Sequence, residues 1–204
     1  MPPNHRLLTL ILCLVLPACF EQQTDSRSDV PAPLLRAAEQ GDLPSISRLI
    51  ADTADVDIRD ACLWTPLMKA SLNGHPEAAR RLISAGADVN LTDKGGYSAL
   101  MLAASNNHVE LIDLLLAAGA NPNQIEQTGG FTALIWAAQL GHTAAIKHLL
   151  ASPADTSLRD FDSKSAADWA RQNRHQAILA LLHAAATKND TMSGKRKSKL
   201  ESTK

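Results

Sequence analysis

The sequence predicts an all-α solenoid of about five helix-turn-helix units with short β-hairpin fingers between them. Two recurrences and one compositional fact predict it. A small hydroxyl residue returns as Thr65, Ser98, Thr132 and Ser165, at spacings of 33, 34 and 33, and a histidine returns in the same phase as His75, His108, His142 and His175. A closing motif follows each pair of apolar runs: Gly86-Ala87-Asp88-Val89-Asn90, Gly119-Ala120-Asn121-Pro122-Asn123 and Pro153-Ala154-Asp155-Thr156-Ser157. A period in this range is the mark of a repeat array, in which each unit is too small to bury its own apolar face and stacks on its neighbours. The composition agrees. Hydrophobic residues make up 45% of the 204, but aromatics only 3%, so the apolar mass is mainly Ala and Leu, which suits close-packed helices.

Residues 1–18 read as a signal peptide outside the fold. A weakly positive start, Met1 to Arg6, is followed by ten uncharged residues, Leu7 to Leu16. That run is too short to cross a bilayer and fits the apolar part of a secretory signal. Its end, Leu16-Pro17-Ala18-Cys19, resembles the bacterial lipobox, with Pro17 the less usual residue. By that resemblance Cys19 is the lipidated residue and the membrane is reached through an N-terminal lipid. The alternative is an ordinary cleaved signal and a soluble periplasmic protein. Phe20 in place of an Asp resembles lipoproteins sent to the outer membrane. Residues 19–33 are polar and contain Pro31 and Pro33, and read as a flexible linker.

The array occupies 34–186, in units 34–59, 60–92, 93–125, 126–159 and 160–186. Thr65, Ser98, Thr132 and Ser165 suit the N-cap of a first helix. Pro66 suits its first turn, where a missing N–H costs nothing. Gly74 and Gly141 suit a left-handed helix end, with Asn107 the next best residue. Leu82, Leu115, Leu149 and Leu181 are read as one apolar spine through the second helices. Residues 187–204 carry six Lys/Arg against Asp190 and Glu201 and read as a basic, disordered tail. Its cluster Lys195-Arg196-Lys197-Ser198-Lys199 has a solvated reading and a lipid-headgroup reading.

Thr65-Pro66-Leu67-Met68-Lys69-Ala70, Asn73-Gly74-His75-Pro76-Glu77 and Ser84-Ala85-Gly86-Ala87-Asp88-Val89-Asn90 together resemble the ankyrin repeat. The resemblance covers about three quarters of the chain and extends to exported bacterial ankyrin-repeat lipoproteins. The first and last units depart from it and read as caps. So do Met68, Met101, Ile135 and Asp168, which stand where the family has a histidine, and apolar packing is expected there.

No catalytic constellation is present: no P-loop, no Gly-x-Gly-x-x-Gly, no His-Glu-x-x-His, no Gly-x-Ser-x-Gly and no Cys-x-x-Cys. The phased histidines sit one per unit, too far apart to converge on a metal. The expectation is therefore no enzyme, no cofactor, no metal and no small-molecule substrate. A net charge of -1 gives no reason to expect nucleic acid. Among three cysteines only Cys62 falls in the array, where it reads as a free thiol on a finger, with an intermolecular disulfide or a redox-sensing role as the alternative.

What remains is protein binding, by the concave groove that the family resemblance assigns to fingers and first helices. Of seven aromatic residues, Trp64, Tyr97 and Phe131 share one position beside the hydroxyl. Lys69, Leu102, Trp136 and Trp169 share another, on the first helix. These seven residues are the expected partner-binding set, because Trp and Tyr bury large areas with a polar handle. A brace for the hairpin is the competing role for the first three. Within the binding class, the partner is an unidentified protein, a periplasm-acting toxin neutralised by an immunity protein, or an envelope enzyme shielded from oxidants. A structural tether and an enzyme with an unrecognised site are the readings from other classes.

Overall fold

The computed structural model describes residues 32–52 and 55–187. The signal, the lipobox Cys19, most of the linker and the basic tail lie outside the described residues. Ten helices occupy them: α1 (Pro33–Gln40), α2 (Leu43–Asp52), α3 (Pro66–Asn73), α4 (Pro76–Ser84), α5 (Ala99–Ser105), α6 (Val109–Ala117), α7 (Ala133–Leu140), α8 (Thr143–Leu150), α9 (Ala166–Gln172) and α10 over 176–187. Odd-numbered helices stack on one another as an inner layer, and α2, α4, α6 and α8 stack as an outer one. The architecture is a helical repeat solenoid.

Each inner helix starts as the sequence dictates. The side chains of Thr65, Ser98, Thr132 and Ser165 accept from the N–H groups of Met68, Met101, Ile135 and Asp168. Such caps contribute about 1 kcal/mol each. Met68, Met101 and Ile135 are buried, in the apolar packing expected where the family has histidine. Asp168 is the exception: its carboxylate returns to the backbone N–H of Ser165 and closes a capping box. That bond, the Ser165 hydroxyl, and Arg171 and Arg159 hold the Asp168 carboxyl at about 2. Pro33, read as the end of the linker, is instead the first residue of α1.

The apolar spine of the outer layer runs through Leu82, Leu115, Leu149 and Leu182, all buried. Leu181 is only half-buried, a correction of one residue. Leu182 keeps the 33-residue phase from Leu149 that Leu181 misses by one.

The inner helices end in left-handed residues: Gly41, Gly74, Asn107, Gly141 and Arg174, with φ between 57° and 82°. The histidine of the next unit covers each of the first four turns. Imidazole Nε2 of His75, His108, His142 and His175 donates to the carbonyls of Glu39, Leu72, Ser105 and Gln139, at 3.0–3.3 Å. A carbonyl only accepts, so Nε2 carries the proton in each ring. A β-carbon at Gly74 or Gly141 would meet the covering imidazole at 2.7 or 2.8 Å. At Asn107 the side chain instead accepts from Ala145 N–H, 3.2 Å away. The histidines are thus inter-repeat struts.

The fingers are tight loops rather than ribbons. Among the described residues no strand forms, and only isolated antiparallel bridges, Thr92 to Ser98 and Arg159 to Ser165, mark the expected hairpins. Each finger is tied to the one before it: Lys94, Gln127 and Phe161 donate their N–H groups to the carbonyls of Cys62, Gly95 and Gly129. The closing loops are tied likewise. Asp57, Asn90 and Asn123 accept from the N–H groups of Asp88, Asn121 and Asp155.

Candidate functional site

A carboxylate stands at the foot of every finger and organises it. Asp60 accepts from the N–H groups of Cys62 and Trp64, and Asp93 from those of Gly95 and Tyr97. The third finger is one residue longer, which is where the 34-residue spacing arises. There Glu126 replaces Asp, and its extra methylene lets the carboxylate reach Gly129 and Phe131, at 2.7 and 3.0 Å, as well as Thr128. Asp93 and Glu126 are buried, 5% and 1% exposed. Burial is the largest influence on Asp93 and raises its carboxyl above the ordinary value, partly offset by the backbone N–H groups.

These carboxylates fix the backbone from which the aromatic side chains leave. Tyr97 and Trp136 lie 6.1 Å apart between ring centres, Phe131 and Trp136 4.8 Å, and Phe131 and Trp169 5.6 Å. The last two pairs meet edge to face, the arrangement aromatic quadrupoles prefer. Two fingers and two inner helices thus supply one continuous aromatic strip. The Tyr97 hydroxyl lies 3.1 Å from that of Thr128 on the next finger. Burial, followed by the nearby Glu126 and Asp93 carboxylates, raises the Tyr97 phenol, so it stays neutral at ordinary pH.

Lysines cover both outer indoles. Lys69 Nζ stands 5.0 Å from the Trp64 ring centre, and Lys164 Nζ 4.3 Å from that of Trp169. Lys69 also reaches Glu39 at 3.8 Å. Trp169 donates its indole N–H to Asp160 at 2.6 Å, so it braces the last finger as well as forming part of the strip. Trp136 is half-buried and its indole nitrogen has no partner among the described residues.

Of the seven residues expected to bind a partner, four meet directly in the strip: Tyr97, Phe131, Trp136 and Trp169. Trp64 and Lys69 form a second contact nearer the first unit. Leu102 does not belong with them. It is 5% exposed and part of the core, so it offers almost no surface to a partner. The large, ring-bearing residues at the same helix position stand out from the floor, whereas a leucine sinks into it. Sequence reading also missed Lys164 and Glu126. Lys164 falls at the finger position of Trp64, Tyr97 and Phe131, a phase that marks it. The expected free thiol at Cys62 does not hold, because that residue is not without a partner. Among the described residues no group of His, Cys, Asp and Glu is placed to hold a metal.

The fold and this surface define a class: a stacked-repeat scaffold that presents variable side chains on an invariant frame. The family is shown directly. A model of three ankyrin repeat copies matches residues 34–126 and a single ankyrin repeat matches 129–161. The chain belongs to the ankyrin repeat family. The pair α9 and α10 lies beyond the matched residues. No curated protein matches the chain. Ankyrin repeat proteins are typically non-enzymatic, and the repeats mark this chain as a protein–protein interaction module.

Proposed function

We propose that the module binds its partner protein on the finger and inner-helix surface, centred on Trp136, without performing chemistry. The observation that carries this reading is the strip Tyr97–Trp136–Phe131–Trp169. A helix position held by Lys69 and Leu102 in two units carries an indole in the next two, and these indoles meet finger aromatics instead of sinking into the core. Clustered aromatics of this kind carry much of the energy at protein interfaces.

The setting in this reading is the bacterial cell envelope. The apolar run Leu7–Leu16 and the sequence Leu16-Pro17-Ala18-Cys19 support export and a lipid anchor at Cys19, with the array facing the periplasm. Several acyl chains together hold a protein firmly where one does not. Within this setting, toxin neutralisation and protection of an envelope enzyme are two forms of the same act of binding.

The test uses the full chain immobilised in detergent and an envelope extract. Trp136→Ala should reduce capture of a specific protein about tenfold or more, in line with loss of an interface anchor. Helical circular dichroism must match the wild type. Equal capture by both proteins overturns the groove reading. Labelling cells with an alkyne fatty acid tests the anchor, because Cys19→Ser should lose the label.

A further inference from the structure

The strip has an uneven relation to charge. Trp64 and Trp169 each carry one of the chain's own lysines over the ring, at 5.0 and 4.3 Å. Between them, the cluster of Tyr97, Trp136 and Phe131 has no such cation among the described residues. It is nonetheless backed by negative charge, as the other fingers are. The carboxylates of Asp93 and Glu126 are buried at the feet of the two fingers that carry Tyr97 and Phe131. Both are close enough to Tyr97 to act on its phenol. Ring faces attract cations through their quadrupole, and nearby buried carboxylates strengthen the attraction because little water screens them. The domain as a whole agrees in sign. Residues 31–186 hold 12 Lys/Arg and 16 Asp/Glu. A partner drawn to this surface is therefore drawn by its own positive charge.

We propose that the Tyr97–Trp136–Phe131 cluster receives a lysine or arginine side chain of the partner protein, placed there as Lys69 and Lys164 are placed on Trp64 and Trp169. This rests on the groove reading above and adds the chemistry of the anchor. The partner segment is basic at its centre, and its flanking residues lie between two lysines, Lys69 and Lys164, that repel further positive charge. The selectivity is thus for one cation in an uncharged or acidic surrounding.

The experiment titrates the full chain with the capped peptide Gly-Ala-Lys-Ala-Gly and with versions carrying Gln or Glu at the centre, followed by proton NMR. The expected result is an upfield shift of the lysine ε-methylene signal, since protons over an aromatic face are shielded. Affinity should exceed that for the Gln peptide by about fivefold, with Glu weaker still. Trp136→Leu should remove both the shift and the preference. Trp136→Phe should keep part of each, which separates a ring effect from a folding defect. Equal binding of the Lys and Gln peptides, or an unchanged shift in Trp136→Leu, overturns the proposal. So does occupation by the chain's own residues 188–204, which would show as a wild type silent to peptide and a chain ending at residue 187 that responds. Occupation by a second copy would show as peptide binding that weakens as protein concentration rises, and it too overturns the proposal. If extract capture depends on Trp136 while the peptides show no preference, this inference falls and the groove reading stands. If capture is also indifferent to Trp136, both fall.

Discussion

The two ends of the inner helices are built on opposite rules. At the turn end, every unit from the second on does the same thing with the same residue: a histidine donates to a carbonyl of the preceding unit over a left-handed turn. At the finger end the side chains differ from unit to unit: Trp64, Tyr97, Phe131 and Lys164 in one column, and Lys69, Leu102, Trp136 and Trp169 in the other. What stays constant there is beneath the surface, in carboxylates that hold the finger backbone whatever side chain it bears. The contrast teaches where variation is tolerated. A position whose side chain makes the inter-repeat bond is not free to change. A position whose backbone is held by another residue is.

The sharpest break of this contrast is at the hidden support. Glu126→Ala leaves the N–H groups of Gly129, Phe131 and Thr128 without their acceptor, and stability should fall by about 3 kcal/mol. For a domain of this size that is a melting temperature lower by roughly 6–12 °C, read by calorimetry. Glu126→Asp should cost less, though still measurably, because the shorter chain cannot span the extra residue of this finger. If Glu126→Ala melts like the wild type, the carboxylate is not the support.

Gly74→Ala tests the turn end. The new β-carbon would meet the His108 imidazole at 2.7 Å, and the residue would be held at φ 73°. A loss of about 2 kcal/mol by denaturant titration is expected. Pairing it with His108→Ala, which removes the obstructing ring, should make the two costs less than additive.

The smallest effect is the response to acid. Burial is the main cause that lowers the His142 imidazole below its ordinary 6.5, and the neighbouring His175 and His108 add to it. The unfolded chain therefore takes up this proton at higher pH than the folded one. The His142 contribution is complete above pH 6.5 and declines as pH falls from there toward the lower folded value. Denaturation midpoints at pH 7.5 and 5.5 should show the wild type losing more stability than His142→Gln. A larger loss in the variant would reverse the assignment.

Much of the frame was legible because it repeats. Thr65, Ser98, Thr132 and Ser165 announce their caps by residue type, and Gly74, Gly141 and Asn107 announce their turns by conformational preference. The error at Leu181 was one of phase, since Leu182 stands 33 residues after Leu149. The site was legible only in part. Trp136 and Tyr97 are marked by size among small residues, but whether a ring lies on the floor or sinks into it depends on neighbours about 33 residues away. Leu102 and the Trp169 bond to Asp160 were fixed by that packing, which local spacing does not reveal.

The histidine struts and finger ties link each unit only to the one before it. The array is thus a chain of pairwise couplings, and opening can begin at an end without disturbing the middle. The end formed by α9 and α10 is the weaker one. Arg174 holds the left-handed turn there at φ 62°, and no described histidine covers it. Amide exchange should run as a gradient, fastest in α10 and slowest around α5 and α6. Trp169 stands next to that loose end and Trp136 one unit inward. A bound partner that spans both would clamp the fraying unit, and protection of α10 would then report on occupancy of the groove from a distance.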